Sequence, residues 1–105
     1  MKKVLVAGAT GYLGRYVVQE FKKQEYWIRA LSRNAVKLES LNDYVDEKFI
    51  GEVNDANSLQ GVCKDMDVVF SSIGITKQKD GLTYMDVDYQ GNVNLLEEAK
   101  KKQTY

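Results

Sequence analysis

The spacing of apolar and polar positions changes character several times along this chain. Val4 to Ala7 is a continuous apolar run with branched residues, the pattern of a strand buried on both faces. Leu13, Val17, Val18 and Phe21 then recur at helical spacing, which predicts a helix from about Tyr12 to Lys23. Tyr26 to Ser32 reads as a second strand, and a short helix is expected from about Ala35 to Leu41. A third, shorter strand falls within Glu47 to Val53, and Asn57 to Val62 reads as a helical turn or two starting near Asn57 or Ser58. Asp67 to Ile73 is a fourth strand, apolar at its centre. Asp86 to Lys102 is the last helix, and Val87, Gly91, Val93, Leu95, Leu96 and Ala99 include its inner face.

Strand and helix thus alternate four times. Parallel neighbours need a long crossover between them, so the alternation predicts an α/β fold with a parallel sheet covered by helices. Right-handed crossovers make that sheet open and doubly wound. No internal repeat or domain boundary interrupts the pattern. The chain lacks proline, the sharpest punctuation, so the helix limits are soft by a few residues.

Composition narrows the function. At 105 residues, 44% hydrophobic and 29% charged, the chain reads as one small domain. Its 15 Lys and Arg balance its 15 Asp and Glu, so no global basic field argues for nucleic acid or an anionic membrane. A single cysteine, Cys63, has no partner for an internal disulfide, which suits a reducing cytoplasm. With one Cys and no His, zinc sites and His-based triads are not expected, and no metal site is assigned. Nothing approaches the ~20 apolar residues of a membrane span. Lys2 and Lys3 precede only a short apolar run, too short for a signal peptide. The expectation is a cytoplasmic domain.

The first apolar run breaks into Gly8, Gly11 and Gly14, three glycines at three-residue intervals where the strand turns into the helix. That context has a specific use. Gly8 permits the tight turn, and Gly11 removes a Cβ so that a pyrophosphate can approach the backbone. Gly14 lets the helix pack closely on the sheet. The N–H groups and positive end of the first helical turn, around Tyr12 and Leu13, then face the phosphates. The spacing, in this place, points to a dinucleotide.

The stretch "VAGATGYLGRYVV" (Val6 to Val18) resembles the cofactor fingerprint of the short-chain dehydrogenases/reductases, particularly their atypical and extended branches. Those branches include NmrA-like proteins, isoflavone-reductase-like enzymes and sugar epimerase/dehydratases. The resemblance continues in order along the chain. "LSRN" (Leu31 to Asn34) resembles the segment that contacts the adenosine ribose. "GEVNDANSL" (Gly51 to Leu59) resembles the turn where Asp55 approaches the adenine. "VVFSSIG" (Val68 to Gly74) resembles the fourth strand and the loop beneath the nicotinamide ribose. "VDYQGNVNLLEEAKK" (Val87 to Lys101) is similar to the family's helix pattern. The resemblance implies a Rossmann-type sheet of order 3-2-1-4. It also implies that Thr10, Tyr12, Leu13, Ser71, Ser72 and Gly74 join Gly8, Gly11, Gly14, Arg33 and Asp55 around the cofactor.

An NAD-type site usually carries an acidic side chain after the second strand, to accept from the ribose 2′-OH. No acid occurs in Leu31 to Asn34; Arg33 stands there instead, a planar guanidinium suited to a 2′-phosphate. Lys37 and Arg15 could add positive charge. NADP is therefore favoured, with NAD possible.

The family's reaction usually rests on a Tyr-x-x-x-Lys pair carried on a helix after a fifth strand. One such string occurs here, Tyr44 to Lys48, but between the second and third strands, so no catalytic role is assigned. Nor are Asp88 and Asn92, which depart from the family's Asn and Thr, given one. Ser71 and Ser72 lack a His to activate a hydroxyl, and Tyr84 and Tyr89 are expected to pack on the sheet. Lys77 to Asp80 is expected to be a solvated polar loop. The resemblance would lead into a fifth strand beyond Tyr105, so the 105 residues read as the front portion of a longer enzyme. Two functions fit: the cofactor-binding portion of an oxidoreductase or epimerase acting on a small molecule, or an NmrA-like non-catalytic redox sensor working through a protein partner. The fourth strand is also expected to be an apolar edge through which the chain self-associates.

Overall fold

A computed structural model describes residues 1–71 and 90–103. Four parallel strands, β1 (Lys3–Ala7), β2 (Trp27–Ser32), β3 (Glu47–Ile50) and β4 (Val68–Ser71), form one sheet of order β3-β2-β1-β4. The alternation predicts such a parallel sheet, and its order is the Rossmann-type one that the resemblance implies. Helices α1 (Tyr12–Lys23), α2 (Ala35–Leu38) and α3 (Gln90–Gln103) flank it, with 3₁₀ turns at Glu39–Leu41 and Ala56–Leu59.

β1 lies between β2 and β4, and Val4, Leu5, Val6 and Ala7 are all fully buried. Alternation along the strand divides them. Val4 and Val6 pack with Ile28, Ala30, Val18, Leu38 and Leu41 on one side. Leu5 and Ala7 pack with Leu31, Leu59, Val62, Cys63, Met66 and Leu95 on the other. A central strand covered on both faces has no room for a polar side chain, which is why this run reads as continuously apolar.

β3 lies within Glu47 to Val53 as expected and ends at Ile50; Gly51 still donates to the Ser32 carbonyl, and Glu52 then turns toward Ser58. Other details differ from the sequence expectation. The predicted helix at Asn57 to Val62 is a 3₁₀ turn that starts one residue earlier, at Ala56, and is capped by Asp55. On α3 the inner face holds Leu95, while Leu96 is exposed and Glu98 is buried. Glu98 tolerates burial because its carboxylate accepts from the Gly61 N–H at 3.1 Å and pairs with Lys101 at 2.8 Å. Among the described residues, no helix is long and apolar enough to cross a membrane.

Candidate functional site

The parallel register brings the carboxyl ends of all four strands to one edge of the sheet. Ala7 lies beside Leu31 and Ser71, and Ser32 lies beside Ile50. Strand order reverses direction between β1 and β4, and ligands of open α/β sheets bind at such a switch point. The glycine turn leaves β1 there. Its Gly11 N–H donates to the Gly8 carbonyl at 3.0 Å, and Gly8 adopts φ 77°, a left-handed conformation that a Cβ disfavours.

α1 then starts against that turn. A Cβ on Gly14 would stand 2.0 Å from the Gly8 oxygen and 2.9 Å from Ala9 Cα, so the helix can approach only without one. At Gly11 the same construction meets just the Gly8 oxygen at 3.4 Å, an ordinary contact. The two glycines thus differ in purpose: Gly14 makes room for the protein, and Gly11 leaves space that the protein does not fill. Gly11 is also the N-cap of α1, with no side-chain cap and no acid in the first turn. The helix therefore presents N–H groups and positive dipole, uncompensated by a side chain, as a diphosphate requires. The geometry fits the dinucleotide phosphates.

The turns after β2 and β3 lie side by side at the same edge. Ser32 closes β2; its Oγ accepts from the Asn34 N–H at 3.1 Å, and Asn34 Oδ1 caps α2 by accepting from Val36 and Lys37. That compact turn holds Arg33, whose side chain is 80% exposed. Arg33 is not alone. Its Nη1 lies 3.5 Å from Glu52 Oε2, so the turn after β3 brings a carboxylate beside a segment after β2 that has none. Lys37 is exposed. Arg15 Nη2 donates to Ser40 Oγ at 3.2 Å, tying α1 to the turn after α2.

Beyond β3, Asp55 caps the 3₁₀ turn by accepting from the Asn57 N–H at 3.1 Å. Asn94 of α3 reaches across to donate to the Val53 carbonyl at 2.7 Å, and Ser58 Oγ accepts from the Glu52 N–H. These contacts hold the 51–58 loop in place. Asn94→Ala leaves the partly buried Val53 carbonyl without that donor, and a stability loss of about 1 kcal/mol is expected by thermal melting. A melting curve matching wild type would remove Asn94 as the loop's anchor.

At the switch point, Ser71 ends β4 beside Ala7, and its Oγ donates to Asn92 Oδ1 of α3 at 2.7 Å. Ser72 and Gly74 lie outside the described residues, as do Lys77 to Asp80, Tyr84, Asp88 and Tyr89. Tyr44 packs on the core and Lys48 is an exposed residue of β3, so the Tyr44 to Lys48 string is not carried on a helix. No group of His, Cys, Asp and Glu among the described residues could hold a metal ion. Sequence reasoning missed Glu52 and Asn94, and it noted Asn92 only as a departure from the family pattern, without its partner. All three act across more than eighteen residues of chain.

Comparison with known proteins agrees with this fold. The model of the NmrA-like family matches residues 1–101. The photosystem II assembly factor Ycf39 of Synechocystis is 28% identical over 99 residues, covering 94% of this chain and 30% of its own length. Isoflavone reductase homolog P3 of Arabidopsis thaliana is 34% identical over 84 residues, covering 69% of this chain and 26% of its own. The chain thus spans less than a third of the length of these curated relatives. A UDP-glucose 4-epimerase from Bifidobacterium longum, solved with NAD+ and UDP, superposes with a TM-score of 0.79 at 20% identity, over 97% of this chain and 34% of its own.

Proposed function

The chain belongs to the NmrA-like family, in the atypical and extended branch of the short-chain dehydrogenases/reductases, and on that premise we propose that it is the domain that binds NADP for an oxidoreductase or epimerase-type enzyme. The observation that carries the reading is the approach of α1 to the Gly8 turn, which no Cβ at Gly14 would permit. It aims an uncapped helix N-terminus at the end of β1, where a pyrophosphate is held by backbone N–H groups. Arg33 supports a 2′-phosphate, since a guanidinium offers it paired donors and full charge. Asp55 faces the adenine side, and Ser71 with Asn92 the nicotinamide side. Bound there, the cofactor would supply hydride chemistry, while the chain's own groups bind and orient it.

Calorimetric titration with NADPH and with NADH tests the assignment. Tighter binding of NADPH is expected; binding of neither would sink it. The second reading, a non-catalytic dinucleotide sensor acting through a protein partner, predicts equal binding without turnover by the full-length protein.

Self-association is also expected. Among the described residues β4 is an edge of the sheet, and its Val69 is 39% exposed. Sedimentation should give a weight-average mass that rises with concentration, and a concentration-independent monomer would count against it.

A further inference from the structure

Glu52 stands close to Arg33, in a site whose segment after β2 carries no acid. The register that sets Ser32 beside Ile50 carries the next residues out of the two strands together, and the Gly51 N–H donates to the Ser32 carbonyl at 3.1 Å. Arg33 and Glu52 emerge on either side of that last rung. Glu52 is held at both ends: Ser58 Oγ accepts from its N–H at 2.9 Å, and its Oε1 accepts from the Asn54 N–H at 3.4 Å. Its other carboxylate oxygen is the one near Arg33.

We infer that Glu52 sets the cofactor specificity of this site, competing with the 2′-phosphate of NADP for Arg33 and offering the 2′-hydroxyl of NAD an acceptor. This rests on the assignment of Arg33 to the ribose end. The two cofactors differ at this position by a dianionic group against a neutral hydroxyl. A phosphate must draw Arg33 away from Glu52 and then lie beside a second negative charge. A hydroxyl leaves the ion pair intact and donates to the carboxylate.

Magnitudes make the competition workable. The guanidinium is 80% and the carboxylate 38% exposed, and their 3.5 Å separation is longer than a good hydrogen bond. Exposed pairs of this kind contribute little and are screened by salt. A phosphate with paired guanidinium contacts is the stronger partner. The pair therefore gives way to NADP but reduces its advantage over NAD. An acid donated by β3 thus takes the part that Rossmann-type NAD sites assign to β2.

The test is calorimetric, with NADPH and NADH titrated into wild type, Glu52→Gln, Arg33→Ala and the double variant. Glu52→Gln keeps the side chain's shape and removes its charge. The ratio of NADH to NADPH dissociation constants is expected to rise about two- to five-fold, the range of an exposed pair. The gain should be smaller in the Arg33→Ala background, and should shrink in wild type as salt is raised. If Arg33→Ala weakens NADPH while Glu52→Gln leaves the ratio unchanged, the role of Glu52 is overturned and the cofactor assignment stands. If Arg33→Ala does not alter NADPH binding, the assignment of Arg33 fails and the inference with it. Melting curves of Glu52→Gln and Arg33→Ala are expected to match wild type.

Discussion

Gly14→Ala is expected to abolish dinucleotide binding and to lower the melting temperature of the chain. The added Cβ would sit 2.0 Å from the Gly8 oxygen, 2.8 Å from the Gly8 carbonyl carbon and 2.9 Å from Ala9 Cα. All three neighbours are backbone, so no rotamer change relieves the contact. α1 or the Gly8 turn must move by about 1 Å to restore a distance that real Cβ atoms show. Overpacking of this kind costs about 1–3 kcal/mol, occasionally more, out of a domain stability of about 5–15 kcal/mol. The same movement withdraws the helix N-terminus from the phosphates. Gly11→Ala is the matching control. Its Cβ meets only one atom, at 3.4 Å, so the melting temperature should hold within a few degrees while binding is lost. Calorimetry and thermal melting on both variants separate the two roles. Normal binding by Gly11→Ala would mean that the phosphates do not use that face.

Arg33→Ala is expected to weaken NADPH at least ten-fold and to leave NADH nearly unchanged. Hydrogen bonds to charged groups contribute about 1.5–3 kcal/mol, which corresponds to roughly ten- to a hundred-fold in affinity. The side chain is exposed and its described partner is the exposed Glu52, so its removal should not disturb the fold. A preserved melting curve with a collapsed preference for NADPH is the expected pair of results. An unchanged preference would move the 2′-phosphate contact to Lys37 or Arg15. Of those two, Arg15 donates to Ser40, and truncating it would also loosen α1 from the turn after α2.

The local parts of this design were open to reading residue by residue. The limits of α1 follow from Leu13, Val17, Val18 and Phe21, with Gly11 before it and Lys22 and Lys23 in its last turn. The burial of Val4 to Ala7 follows from an unbroken apolar run. Other limits were harder to read. The 3₁₀ turn starts at Ala56 rather than near Asn57 or Ser58, with Asp55 as its cap and Ser58 Oγ turned back to bind the loop at Glu52. Leu96 fits the inner face of α3 by spacing, but the described helix turns Leu95 and Glu98 inward instead.

Glu98 shows why. A buried carboxylate has no signature in a helical repeat; it is tolerated because Gly61, thirty-seven residues away, donates to it. Glu52 beside Arg33 is the same kind of fact, created when two parallel strands joined by a helix come into register. The amino-acid sequence by itself determined the alternation of strand and helix, the three glycines at the first turn and the absence of an acid after β2. Those properties belong to backbone periods and to side chains within a few residues of one another. Only the tertiary structure decided that Glu52 lies beside Arg33, that Asn94 reaches the Val53 carbonyl and that Ser71 meets Asn92. Parallel pairing joins residues separated by a whole crossover, and the register that selects those partners is set by packing on both faces of the sheet.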